Sequence, residues 1–404
     1  MDEIEKYYRV YAGINLDAVY DNVSALKKTI SPNTTITAVI KADGYGHGAI
    51  PVAKTIDGLV ASYAVATINE AISLREHGID KPVYILGHTH HSMYEEAILN
   101  DIDLTIFDEK TAYGIDRRAG GLNKAAKIQI KLDTGMSRIG FKDNEESLNS
   151  IIGISRLKNI RIDGIFTHFS AADESDKTSV NSQLDRFKAF ILKLEEAGIN
   201  IPTTHCSNSA CILDLSDINF TTVRPGIAIY GLYPSDEVMK EKVVLKPALY
   251  MKSHIVQLKS VEPGTGVSYG STFIADKETK VATIPIGYGD GYPRSLSNKG
   301  HVLIRGCKAP IIGRVCMDQI MVDVTGIMDV AEDDEVTIIG RDNEEIITVE
   351  LLAELAGTFN YEFVCDIGKR VPRVYFRHDR IVCTKDYFHD KYDISAWEDQ
   401  KKID

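Results

Sequence analysis

A lysine at the end of a short β-branched run is the first group in this chain placed for chemistry. In Ala38-Val39-Ile40-Lys41-Ala42-Asp43-Gly44-Tyr45-Gly46-His47-Gly48, alternation from Thr35 puts Ile36, Ala38 and Ile40 on one face and Thr37, Val39 and Lys41 on the other. An amine held there can form a Schiff base with an aldehyde, once desolvation and neighbouring cations lower its pKa from about 10.4. The same pattern also suits a lysine snorkelling at a strand end. A second lysine, Lys131, shares a strand face with Gln129 and Asp133 in the run that continues through Thr134-Gly135-Met136-Ser137-Arg138. Pointing inward, its ammonium must be deprotonated, paired or chemically altered, and Asp133 is the simple partner. His168 closes the strand Ile162–Thr167, where a hydrogen-bonded structural role is also open to it. Asn208-Ser209-Ala210 begins a helix whose free amides and hydroxyl suit a phosphate, and serves equally as a plain N-cap. Arg224-Pro225-Gly226-Ile227 adds a glycine-containing turn after the last strand of the series. Tyr269 sits between glycines in Gly266-Val267-Ser268-Tyr269-Gly270, and Tyr288 follows in a similar setting.

These groups need strand ends to carry them, and the chain supplies eight. Predicted strands are Thr35–Ile40, Tyr63–Ala66, Val83–Leu86, Leu104–Phe107, Ile128–Leu132, Ile162–Thr167, Thr203–Cys206 and Thr221–Val223. Amphipathic segments such as Ile68–His77, Ser92–Leu99, Glu145–Ile154 and Gln183–Ala197 lie between them, and Gly78 and Gly198 close two of these. Eight βα units suggest a (β/α)8 barrel, although an open doubly wound sheet gives a similar string. The barrel is favoured because Lys41, the run Lys131 to Arg138, His168, the Asn208-Ser209 pair and Arg224 all fall at or just after strand C-termini. Beyond Pro234 the texture changes to strands separated by turns, with Glu350–Gly357 the one clear helix. We expect a barrel domain over residues 15–234 and a mostly-β domain from 235–404, joined by residues 1–14 through the early strand Tyr8 to Leu16.

Composition narrows the partners. With 404 residues and 44% hydrophobic content, the chain has material for two cores. Its net charge of −12, spread along the sequence, argues against nucleic acid or an anionic membrane and for a small-molecule partner. No apolar run approaches the roughly 20 residues of a spanning helix, and Met1-Asp2-Glu3-Ile4-Glu5-Lys6 is charged where a signal peptide turns apolar, so a cytoplasmic location is expected. The 6 cysteines are scattered without a CxxC, which points to neither a disulfide framework nor a metal site.

The ordered set of motifs Ala38–Gly48, Lys131–Gly140, Thr167-His168-Phe169, Asn208-Ser209-Ala210, Val223–Gly231, Val267–Gly270, Pro285–Gly291, Cys316-Met317-Asp318-Gln319 and Asn360-Tyr361-Glu362 resembles the bacterial alanine racemases over nearly the whole chain. The resemblance implies an α/β fold, an N-terminal (β/α)8 TIM barrel with a C-terminal mostly-β domain. It implies a pyridoxal 5′-phosphate enzyme that interconverts L- and D-alanine for peptidoglycan, working as a cytoplasmic homodimer with shared active sites. In that picture Lys41 carries the cofactor and is one base, and Tyr269 from the other subunit is the second. Tyr45, Asn208, Ser209, Gly226, Ile227 and Tyr361 match the phosphate cradle, and Arg224 the residue facing the pyridine nitrogen. His168 lies in the polar network between Arg224 and Tyr269. Arg138 matches the contact to the cofactor's phenolic oxygen and, with Met317, to the substrate. Lys131 matches a lysine that many members carry as a carbamate, and Asp173, Tyr288, Arg294 and Asp318 match the active-site mouth. Tyr361 favours alanine over serine, a serine or broader-specificity racemase being the alternative. The segment Cys365-Asp366-Ile367-Gly368-Lys369-Arg370 departs from the commoner serine-containing form.

Overall fold

The β-branched runs of the first half form parallel strands: β1 (Thr35–Val39), β2 (Ser62–Val65), β3 (Val83–Ile85), β4 (Ile102–Ile106), β5 (Ala126–Asp133), β6 (Ile160–Phe166), β7 (Thr203–His205) and β8 (Thr222–Val223), paired in this order in a computed structural model. The structure describes residues 5–388 and 391–393. The chain divides into two compact units, one made of Ala18–Gly44 and Val52–Lys246, the other of the segment ending at Asp17, Tyr45–Pro51 and the chain from Pro247 onward.

In the first unit β8 returns to β1 through Thr222↔Thr35 and Val223↔Ile36. The one gap in the ladder, between β7 and β8, is bridged by Thr221 N–H to Thr204 O at 3.1 Å and Arg224 N–H to Ser207 O at 2.8 Å. A near-closed barrel therefore forms rather than the open sheet. Its strands are buried on both faces, as parallel strands wrapped by helices must be, so β4 reads Ile-Asp-Leu-Thr-Ile with every position inside. Helices are set by their caps: Thr67 with Glu70, Asp108, Asn144 and Asn208 each accept from a first-turn amide. Helix Thr178–Glu196 begins earlier than the predicted Gln183, and Ser92 belongs to a 3-10 turn, His91–Met93, that precedes helix Tyr94–Leu99.

Strand β1 ends sooner than the alternation suggests. Val39 is its last residue, and Lys41 opens a turn, Lys41–Tyr45, in which Ala42 (φ 53°), Asp43 (φ 48°) and Gly44 (φ 62°) are all left-handed. The assignment of Lys41 to a strand face is thus corrected: the lysine leaves from the turn after the strand.

In the second unit, Val10–Asn15 lies in a large sheet, antiparallel to Leu249–His254 and parallel to Arg373–Arg377. A three-stranded sheet pairs Gln257–Val261, Thr279–Ile284 and Ile320–Asp323. Val267, Val281 and Ile312 pack together beside it. The texture is mostly strand, but Glu350–Gly357 is not its only helix. Val349–Ala356 is followed by Asn360–Cys365, which covers the motif Asn360-Tyr361-Glu362. Its six residues carry too little apolar periodicity to be read from sequence. Gly46 (φ 77°) belongs to this unit, and a Cβ there would lie 2.2 Å from Val364 O.

Candidate active site

The lysine turn is held by a carboxylate. Left-handed backbone costs a non-glycine residue roughly 1–2 kcal/mol, and here two consecutive ones follow Lys41. Glu70 offsets this: one oxygen accepts from Ala42 N–H at 2.6 Å, and the other from Ala66 N–H at 2.7 Å and Thr67 N–H at 3.1 Å. The same side chain closes a capping box with Thr67. Reading the motifs overlooked Glu70, although Thr67-x-x-Glu70 before an apolar run is the signal of that box.

Next to this turn the barrel gathers cations around a histidine. His168 is held well below the usual histidine range by burial, then by Arg224, Arg138, Lys131 and Lys41. Arg224 is 3% exposed; its Nη2 donates to Thr167 O (2.8 Å) and Cys206 O (3.0 Å) and lies 3.5 Å from His168 Nδ1, while Nη1 meets His205 Nδ1 at 2.7 Å. The Phe166 ring lies 5.0 Å from that of His205, nearly parallel, with Lys131 Nζ and the Arg224 guanidinium at 5.6 and 5.4 Å. Such cation–ring contacts favour the charges without neutralising them.

Lys131 points inward from β5, as alternation requires, but Asp133 is not its ion-pair partner. Asp133 instead accepts from Gly135 and Ser137 N–H at 3.0 Å each, fixing the loop that leads to Arg138. Lys131 Nζ donates to Leu132 O at 2.7 Å, and burial, with Arg224 and Arg138, pushes its pKa down to about 8. A loop capped by an aspartate two residues before a glycine is an ordinary Asx arrangement, and it takes the carboxylate that the spacing had offered to the lysine.

Two short helical segments start beside each other: Ser209–Asp214, capped by Asn208 Oδ1 on Cys211 N–H (3.1 Å), and Ile227–Tyr230. Ser209 Oγ joins them by accepting from Gly226 N–H at 2.9 Å and Ala228 N–H at 3.4 Å. Asp173, also in this unit, accepts through its carbonyl from Ser235 Oγ at 2.6 Å. A cation-rich site with a carboxylate-held lysine turn and paired helix N-termini fits an anionic aldehyde such as pyridoxal 5′-phosphate.

The remaining sequence-predicted residues lie in the second unit. Tyr269, Met317 and Asp318 line a cleft of about 670 Å³ with Ser268 and Cys316. Tyr269 is 67% exposed and Met317 51%. Tyr288 N–H donates to Cys316 O at 3.0 Å, and Arg370 joins Asp318 to the buried Asp290, which also binds Arg9. Tyr45 and Tyr361 face each other with ring centroids 6.0 Å apart, and burial pushes the Tyr45 hydroxyl up. Arg294 opens the turn Arg294–Leu296.

The chain is similar to known proteins along most of its length. Residues 14–234 match the family model of the alanine racemase N-terminal domain, and 248–375 that of the C-terminal domain. An alanine racemase of Halothermothrix orenii is 46% identical over 366 residues, 90% of this chain and 96% of its own. The solved structure of an alanine racemase from Clostridium difficile 630 superposes with a TM-score of 0.90 at 42% identity, covering 94% of this chain and 98% of the other. That of Bartonella henselae, with covalently bound pyridoxal phosphate, gives 0.80 at 29% identity, covering 91% and 99%. With both of its parts matched and relatives of this identity along almost its whole length, the chain belongs to the alanine racemase family.

Proposed function

We propose that this protein is a pyridoxal 5′-phosphate-dependent alanine racemase that holds its cofactor on Lys41 and interconverts L- and D-alanine, supplying D-alanine for peptidoglycan from the cytoplasm. The observation that carries the reading is the convergence of Arg224, Arg138, Lys131 and Lys41 on the half-buried His168, with Arg224 Nη2 3.5 Å from its Nδ1. Four cations gathered around one ring, two of them, Arg224 and Lys131, themselves buried, are costly unless an anionic ligand occupies the site.

When bound, the cofactor supplies an electron sink that acidifies the substrate Cα–H. Racemisation then needs a base on each face of Cα. Lys41 takes or returns a proton on the face it occupies, and the Glu70-held turn fixes where its amine stands. Tyr269 of the partner subunit serves the other face in a head-to-tail homodimer, a role consistent with a tyrosine left largely exposed in its own unit. Arg224, anchored by Thr167 O, Cys206 O and His205, would face the ring nitrogen; a guanidinium there stays charged and does not accept a proton. Arg138 and Met317 would contact substrate, and the Ser209-linked helix starts, with Tyr45 and Tyr361, the phosphate. Asp173, Tyr288, Arg294 and Asp318 would form the mouth. Lys131, with its pKa near 8, offers a neutral amine that adds CO2 and releases a proton, so a cation among cations becomes a carbamate anion.

Borohydride reduction of the loaded protein followed by peptide mapping tests this directly. The cofactor should be found on Lys41, and Lys41→Ala should lose both adduct and racemase activity. An adduct on another lysine, with activity retained, overturns the assignment.

A further inference from the structure

Beneath the cations a second buried polar chain begins at a carboxylate. Asp103, on β4, is 3% exposed. Its Oδ2 accepts from Gln129 Nε2 at 2.9 Å, and its Oδ1 has no hydrogen-bond partner. Burial pushes its pKa up to about 6; Gln129 and Lys127 act the other way, while Asp163 and Asp101 add to the rise. A carboxylate kept inside a barrel at such disadvantage invites a reason.

Each link dictates the next. A carboxylate only accepts, so the Gln129 NH2 must face Asp103 and its Oε1 must face away. That oxygen lies 3.4 Å from His205 Nε2, which therefore carries a proton. At the opposite edge of the ring, Arg224 Nη1, which can only donate, stands 2.7 Å from Nδ1, which therefore carries a lone pair. Both ends demand the same neutral Nε2–H imidazole, and burial with Arg224 holds His205 well below the range in which it would be charged. Stacking on Phe166, 7° from parallel, fixes the ring plane. The backbone makes room for this chain. A register shift between Ile128 and Gln129 seats the carboxamide opposite Gly164, where a Cβ would lie 1.9 Å from Gln129 Oε1.

We propose that Asp103 and Gln129 are positioning residues: they hold His205 in the Nε2–H tautomer, so that Arg224 keeps one orientation and a constant hydrogen-bond acceptor. The acceptor-only character of Asp103 is the decisive property. An asparagine of the same shape can present either its oxygen or its NH2, which frees the Gln129 carboxamide to turn over and leaves the Arg224 contact as the one remaining constraint on the His205 tautomer. The consequence for catalysis rests on the reading that Arg224 faces the cofactor's ring nitrogen; the tautomer does not.

The experiment compares ¹⁵N spectra of His205 in the loaded wild-type protein and in Asp103→Asn. Racemisation is measured alongside pyruvate release, the side reaction in which the amino nitrogen passes to the cofactor's aldehyde carbon and water supplies the ketone oxygen. Wild type should show one Nε2–H imidazole. Asp103→Asn should show a second or exchange-averaged set, with several-fold more pyruvate per racemisation and little change in KM. Gln129→Leu, which deletes the link outright, should behave alike. An unchanged single tautomer in both variants overturns the proposal. Altered His205 spectra with an unaltered ratio of pyruvate to racemisation uphold the tautomer lock and instead overturn the placement of Arg224 at the ring nitrogen.

Discussion

Removing the charge of Lys131 should stabilise the cofactor-free protein. The residue is 2% exposed, and burial, Arg224 and Arg138 bring its pKa from 10.5 to about 8. Because the folded-state value lies below the unfolded one, the unfolded chain binds the extra proton more tightly. The penalty is full below the folded pKa and fades as pH rises between the two values. At about 1.4 kcal/mol per pH unit the drop is worth about 3 kcal/mol. Lys131→Met keeps an unbranched apolar stem and deletes the ammonium. In urea unfolding of the cofactor-free protein in CO2-free buffer, the variant should exceed wild type by about 2–3 kcal/mol near neutral pH, with the gap closing to under about 1 kcal/mol near pH 10. Added bicarbonate should close the same gap near pH 8, because carbamylation turns the wild-type cation into an anion beside Arg138 and Arg224, and Met cannot react. Parallel pH profiles for the two proteins, or an equal response to bicarbonate, would refute the assignment of a buried, depressed amine.

Other expectations follow from the same geometry. Tyr269→Ala should slow Cα-proton exchange of L-alanine in deuterium oxide about 10²–10⁴-fold and that of D-alanine far less, and mixed Lys41→Ala and Tyr269→Ala subunits should regain activity on exchange; equal losses for both enantiomers, or no recovery, count against two bases from two subunits. Glu70→Ala should cost about 2–3 kcal/mol in urea unfolding, as charge-assisted bonds to the lysine turn and the helix cap are lost together; a loss below about 0.5 kcal/mol would mean the turn holds without it. For Asp103, raised from 3.8 to about 6, the stabilising contribution is present below the unfolded value and lost as pH rises through the folded one. Asp103→Asn should therefore gain up to about 3 kcal/mol above pH 6, fading towards pH 4; an advantage that does not depend on pH would contradict a buried carboxylate.

What was legible in the sequence was what local pattern controls. β-Branched runs marked the barrel strands because both faces of each are buried, and helix Glu145–Ile154 was bounded correctly because Asn144 caps it and its apolar face is periodic. Position along strands also placed Lys131 inward. Features that depend on a neighbour distant in sequence were not legible. The left-handed turn at Ala42 and Asp43 uses residues with no preference for that conformation and is held by Glu70, 28 residues away. The ion pair expected between Lys131 and Asp133 gave way to the amides of Gly135 and Ser137, since spacing alone does not tell which donor reaches a carboxylate first. The chain from Asp103 to Arg224 joins three strands, a register shift and the turn after a fourth strand, so Asp103, Gln129 and His205 each read singly as a polar residue in a strand.

Racemisation by the cofactor-loaded protein is tested most directly by incubating it with pyridoxal 5′-phosphate and L-alanine in deuterium oxide and resolving the enantiomers over time. D-alanine should form carrying deuterium at Cα, and the mixture should approach equal amounts of the two enantiomers, whose free energies are identical. Consumption of L-alanine to pyruvate or an amine without D-alanine, or no turnover at all, would contradict the account.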